Sequence, residues 1–217
     1  DVHIYGNPHI HTSPLNGKVV AENIYVGLKK AAPQHAALFA RNLERFKAEV
    51  DRRTFGPVLL KILGGKVLTK LARRGKLIPF LRKKKYKGRA LIDCLGGWMK
   101  QALPLRGKKI VSYHKNWGYF ADLFGVEVVD YMEPKPGIPP TPGHVSAVIN
   151  KMKAQKIKVL LAANYFDVGK VRKVASRVGA SPVVIALAPG GEKGMDSFFS
   201  MFDIWIKRLL AAFRRAG

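Results

Sequence analysis

From residue 107 to the C-terminus, four strand-sized apolar runs alternate with segments of helical periodicity, and this alternation most constrains the fold. Residues 109–113 read as a strand, 117–124 as a helix ended by Gly125, and 126–131 as a second strand. A proline-rich loop holds Pro134, Pro136, Pro139, Pro140 and Pro142, and Pro142-Gly143-His144 opens a helix through 155. Residues 158–162 form a strand, 168–178 a helix, 182–187 a strand, and 196–215 a last helix with Asp196 as its cap. Strand and helix in regular alternation predict a four-stranded parallel sheet flanked by helices, an α/β fold. No sequence repeat of fixed period is visible.

Upstream, residues 1–13 read as a strand running into a turn at Gly6-Asn7-Pro8. Helical spacing then predicts two helices, 15–32 and 34–53. Ser13 is placed to cap the first, Pro14 suits its first position, and Pro33 separates the pair. Glycines and prolines cut residues 55–105 into pieces, with short basic amphipathic helices expected at 67–71, 78–81 and 90–102.

The chain carries 39 Lys and Arg against 14 Asp and Glu, a net charge of +25. The excess crowds into residues 55–109, where Asp93 is the only acid and Arg82-Lys83-Lys84-Lys85 the densest run. Such charge invites a nucleic-acid or anionic-surface reading. The aromatics there are few (Phe80, Tyr86, Trp98), which is not the pattern of an RNA-stacking surface. Hydrophobic residues make up 47% of the chain, enough for a packed core, and no apolar run reaches the roughly 18 residues of a membrane helix. One cysteine, Cys94, excludes an internal disulfide and any CxxC metal site, and reads as a buried thiol. The first residues lack the basic and apolar regions of a signal peptide, and there is no initiating Met, so the chain reads as processed or truncated.

Candidate chemistry falls at strand ends. Asn7-Pro8-His9-Ile10-His11 puts two imidazoles on one side of an extended segment, a pattern that serves zinc but by itself fits a surface loop better. His114 follows the strand 109–113, where open α/β sheets bind ligands. Position alone leaves it equally a ligand or a helix N-terminal histidine. Asp167 has the same kind of place after 158–162, although capping the following helix is its better role. Glu133, isolated in the proline loop, reads as structural, and His3, His35 and His144 as surface residues. The glycine-rich stretch 189–196 lacks P-loop and GxGxxG patterns, and no GxSxG, HExxH or paired-carboxylate motif assembles, so an enzyme is not expected.

Two of these segments resemble the zinc- and manganese-type metal-binding receptors of ABC transporters. Residues 7–14, NPHIHTSP, are similar to that family's D-P-H-x-W-L-(D/S)-P segment, with Asn7 in place of the Asp and His11 in place of the Trp. Residues 111–120 are similar to V-x-x-H-x-x-(F/W/Y)-x-Y-F. Met132-Glu133-Pro134, Ala163-Asn164-Tyr165-Phe166 and residues 194–199 also match in order and spacing. The resemblance implies metal ligands at His9 and His114, with His11 as a possible extra ligand, and Asp167 stays a weak candidate from its strand-end position. A histidine at 114 implies zinc rather than manganese.

The family's first lobe would precede Asp1, and the acid that many members carry after the last strand is replaced by Ala188-Pro189-Gly190. Water or a residue outside this chain would then complete the coordination. The resemblance implies the end of an N-terminal lobe with its ligand loop at 1–14, an inter-lobe helix at 15–54, a basic helical insertion at 55–106, and a C-terminal α/β lobe at 107–217. It further implies a periplasmic or extracytoplasmic monomer, with a signal peptide upstream of Asp1, that delivers its ion to a membrane permease. The competing expectation is a basic module, residues 55–109, binding nucleic acid or an anionic membrane surface.

Overall fold

The computed structural model describes residues 6–135 and 137–215. The chain divides into two compact units, one of Ser13–Gln101 and one joining Asp1–Thr12 to Ala102–Gly217. The strand expected at the N-terminus falls partly on residues 1–5, as does His3, and these lie outside the described residues.

The first unit is helical. Helix α1 (Pro14–Ala31) starts with Pro14 at its first turn, where the missing N–H costs nothing, behind an extended Ser13 whose side chain makes no capping bond. It stops at Ala32, which takes φ −142° and ψ 71° because a residue before proline avoids the helical region. A 3-10 turn, Pro33–His35, leads into α2 (Ala36–Phe55), which packs along α1. Short helices α3 (Pro57–Leu63), α4 (Gly65–Arg73) and α5 (Leu77–Lys83) follow. Then come a hairpin of β1 (Lys85–Tyr86) and β2 (Arg89–Ala90), a 3-10 turn at Leu91–Cys94 and α6 (Gly97–Gln101).

Val50, Phe55, Leu59, Leu68, Leu81 and Trp98 are fully buried in this unit, and Cys94 is buried and free. The hairpin turns on Lys87 and Gly88, both at positive φ (47° and 78°), as a tight two-residue turn requires. The end of α2 meets the start of α6 backbone to backbone. Gly96 N donates to Phe55 O at 2.9 Å. A Cβ on Gly56 would lie 2.6 Å from Gly96 Cα, and one on Gly97 2.1 Å from Arg53 O.

The second unit is built on strands β3 (Lys109–Ser112), β4 (Glu127–Tyr131), β5 (Val159–Ala163) and β6 (Ser181–Ile185). They form one parallel sheet in the order β4-β3-β5-β6. Helix α7 (Gly118–Phe124) links β3 to β4, α8 (Pro142–Ala154) links β4 to β5, α9 (Val168–Arg177) links β5 to β6, and α10 (Phe198–Arg215) closes the chain. The α/β expectation is therefore met. On one face Val111, Leu160 and Ala162 pack with Val148, Met152, Val171 and Val174 of α8 and α9. The other carries an aromatic cluster from α7 and α10, in which Trp205 lies 4.7 Å from Trp117 and 5.8 Å from Phe120 between ring centroids. The indole of Trp205 also donates to Ala186 O at 2.8 Å.

Local details differ from the sequence expectations. Ser197, not Asp196, caps α10, its hydroxyl accepting from Ser200 N at 3.1 Å. His144 is half-buried rather than exposed, with Nε2 2.9 Å from Tyr131 O.

The order β4-β3-β5-β6 has a functional consequence. The chain leaves β3 in one direction for β4 and later returns on its other side as β5. Beyond the carboxyl ends of β3 and β5 the flanking connections therefore diverge, which opens the crevice where α/β sheets receive ligands.

Candidate metal centre

His114 is two residues past β3, at the edge of that crevice, and is 9% exposed. Its backbone is extended and its carbonyl accepts the Ser112 hydroxyl at 2.8 Å. The imidazole Nδ1 lies 2.5 Å from Glu133 Oε2. The contact is not aligned as a conventional hydrogen bond, for Oε2 is buried without one. Glu133 therefore meets the Nδ1 side of the ring. The other carboxylate oxygen, Oε1, accepts Gly137 N at 2.9 Å, which fixes the group.

Glu133, expected as an isolated structural acid, is not isolated, for the structure sets it against His114. The pairing of β3 with β4 slips at Ile110/Val111: Ile110 pairs with Val128 but Val111 with Asp130. Beyond this bulge Ser112 pairs with Tyr131, and the ladder continues as Met132 N to Ser112 O and Glu133 N to Tyr113 O. Without the extra residue Met132 would face His114; with it, Glu133 does. The usable signal was the shared register of two neighbouring strand ends, but a bulge is not visible in composition or periodicity.

His9 reaches the same place from the N-terminal segment. Asn7 Nδ2 donates to Lys115 O at 2.8 Å, and Tyr119 donates its hydroxyl to Asn7 O at 2.9 Å. With its amide so oriented, Asn7 turns Oδ1 to His9, accepting from the backbone N at 3.0 Å and contacting ring Nδ1 at 2.7 Å. An amide oxygen only accepts, so Nδ1 of His9 is the donor in this contact. Thr12 closes the turn, its hydroxyl donating to His9 O at 2.8 Å.

The two rings stand 5.2 Å apart between centroids, inclined at 76°. Two imidazoles bound to one tetrahedral zinc, at about 2.0–2.1 Å from each nitrogen, hold their centroids about 5.2 Å apart. The same separation and tilt are those of two aromatic rings packed edge to face.

The other two candidates lie elsewhere. His11 points to the end of the sheet, with Nε2 3.2 Å from Leu187 O. Burial pushes its pKa below the usual histidine value, partly offset by that backbone bond, so the ring is held neutral. Asp167 is exposed and caps α9, its Oδ1 accepting Lys170 N at 2.9 Å. Among the described residues, no three His, Cys, Asp or Glu side chains form a group able to hold a metal. Aromatic residues border the histidine pair: Phe166 lies 6.0 Å from His114 and stacks on Tyr113 at 4.3 Å. Burial raises the pKa of Tyr113 and of Tyr165, so both phenols stay protonated. Tyr165 accepts from Asn116 Nδ2 at 2.9 Å.

Comparison with known proteins agrees with this architecture. The family described as zinc-uptake complex component A, periplasmic (ZnuA), matches residues 1–54 and 83–212. No curated protein sequence matches the chain. Among solved structures, a ZnuA crystal structure is 19% identical with a TM-score of 0.64, over 95% of this chain and 60% of that one. A Cd-bound periplasmic metal-binding protein from Candidatus Liberibacter asiaticus is 16% identical (TM-score 0.61; 94% and 63%). The Mn2+ complex of FpvC from Pseudomonas aeruginosa is 18% identical (TM-score 0.62; 97% and 62%). At such identities the structures share the fold, and this chain spans about three-fifths of their length. These relatives are binding proteins rather than enzymes, and none of the matches supports a nucleic-acid module. With most of its length matched by the family model, the chain belongs to the ZnuA family of periplasmic zinc-uptake components.

Proposed function

We propose that this chain binds one divalent transition-metal ion, zinc, through His9 and His114, and serves a membrane permease of the ABC type from the periplasmic side as a monomer. The observation that carries the reading is the pair of imidazoles 5.2 Å apart, each with Nδ1 engaged by its own oxygen partner. Histidines that ligate a metal through one nitrogen normally donate the other to a carboxylate or carbonyl, which fixes the ring and raises its basicity. Asn7 engages His9 in this way, and Glu133, in contact with Nδ1 of His114, is its positioning residue in this reading. Imidazole favours zinc over manganese, which prefers oxygen donors. When bound, the ion takes two further donors, from water or from a lobe preceding this chain. In this reading residues 1–14 carry the end of the first lobe, 15–54 link the lobes, 55–106 are an insertion, and 107–217 form the second lobe.

Calorimetric titration with zinc tests the proposal. One ion per chain is expected, and His114→Ala should weaken binding about 100-fold or more, beyond the 10–100-fold typical of an outer partner. Unchanged affinity in that variant overturns the assignment.

A further inference from the structure

Metal binding leaves the chain's most uneven feature unexplained. Residues 55–89 contain 12 Lys and Arg and no Asp or Glu. All twelve are exposed. Among the described residues none of them is ion-paired with a carboxylate. The family match omits residues 55–82, which hold seven of the twelve, while Lys83, Lys84, Lys85, Lys87 and Arg89 lie within it. Apolar groups stand among them: Val58 on α3, Val67 on α4 and Tyr86 on the hairpin are 54%, 46% and 45% exposed. In α4, Leu68 and Ala72 face inward while Lys66, Val67, Lys70 and Arg73 face out. The β1–β2 turn brings Lys87 Nζ to 5.7 Å from the Tyr86 ring centroid, and Lys83, Lys84, Lys85 and Arg89 are exposed around it.

We propose that residues 55–89 are a membrane-contact surface that binds the anionic headgroups of a phospholipid bilayer. Unpaired exposed cations supply the long-range attraction. Val58, Val67 and Tyr86 supply small apolar and aromatic groups suited to the headgroup boundary. Among the described residues no helix is long and apolar enough to cross a membrane, so the proposed contact is peripheral. A bilayer is preferred to nucleic acid on two grounds. The family is periplasmic, where a membrane is always within reach. The segment also offers isolated valines and one tyrosine rather than a row of stacking aromatics. The surface would hold the protein near the membrane, and it stands whether or not His9 and His114 bind metal.

The test is sedimentation of the chain with phosphatidylglycerol-containing vesicles and with pure phosphatidylcholine vesicles. Binding to the first alone is expected, lost at high salt. Each basic group near the surface is worth about five-fold in partitioning, so K83E/K84E/K85E should reduce it about 100-fold or more. The control is K153E/K158E/K173E, which reverses three exposed lysines in the α/β unit. An equal loss there means that only net charge acts, and overturns the proposal. So does binding to duplex DNA, dependent on Lys83–Lys85, without binding to vesicles. Val67→Trp gives a readout independent of the triple variant. Its emission should shift to the blue on phosphatidylglycerol vesicles, and an unshifted spectrum counts against the surface.

Discussion

The two compact units use acidic residues in opposite ways. The α/β unit has 18 Lys and Arg against 9 Asp and Glu, the helical unit 21 against 5. In the α/β unit acids pin particular places: Glu133 at His114, Asp130 at Lys151 (2.5 Å), and Glu192 at Arg208 on α10 (3.0 Å). In the helical unit they are confined to α1 and α2, apart from Asp93. Asp51 holds Lys18 at 2.6 Å and Glu22 holds Lys47 at 2.9 Å. From α3 to β2 there are none. The lesson is that acids mark where geometry must be held, and their absence marks a surface left for something outside the chain.

Four variants probe that contrast, from the largest effect to the smallest. Gly97→Val forces a side chain against Arg53 O at a position with φ 56°, so the helical unit should lose more than about 3 kcal/mol in urea denaturation. Wild-type stability in that variant would mean that the contact of α2 with α6 is not what sets the unit's geometry. In the α/β unit, His9→Ala should leave folding intact and reduce zinc affinity about 100-fold, or about 2.7 kcal/mol. If His9→Ala binds normally, the N-terminal segment is only a strap. Glu133→Gln keeps an acceptor near Nδ1 but removes the charge, and a loss of about tenfold in affinity is expected from the same titration. No loss would return Glu133 to a structural role.

The smallest effect concerns Glu49 on α2. Hydrogen bonds from Arg52, with that of Arg53 second, hold its carboxyl at about 2. Between the ordinary carboxylate range and that value, the unfolded chain takes up a proton that the folded chain does not. Stability from this pair is thus complete above the ordinary range and drains away as pH falls toward 2. Glu49→Gln should slightly flatten the acid limb of a stability–pH curve, an effect limited by solvent screening at this partly exposed site. A limb identical to wild type would remove the pair from the contrast.

Much of this fold was legible in the sequence, and unevenly so. Strands and helices after residue 107 appear within a few residues of their predicted places, because β–α alternation changes periodicity sharply at each boundary. Pro14 and Pro33 placed α1 and α2 for backbone reasons that need no tertiary information. Between 55 and 105 the reading was coarser. The stretch 57–63 is too short to show a period, Pro79 sits harmlessly in the first turn of α5, and Lys87-Gly88 was hidden as a turn inside a basic run. At the candidate site, strand-end logic pointed to His114 and family likeness to His9, and the structure brings their rings together. Glu133 stayed hidden because one extra residue in β4 decides which side chain meets the imidazole.

The meeting of Phe55 with Gly96 also bears on how such a chain can change over time. Residues 56–95 leave and re-enter side by side at this junction, and between its ends the stretch packs back on α1 through Thr69 and Arg73. Lengthening a closed loop costs little, since closure entropy grows only with the logarithm of length. Its exposed turns can therefore change length cheaply while Leu59, Leu68 and Leu81 stay fixed in the core and the glycine junction keeps the ends joined.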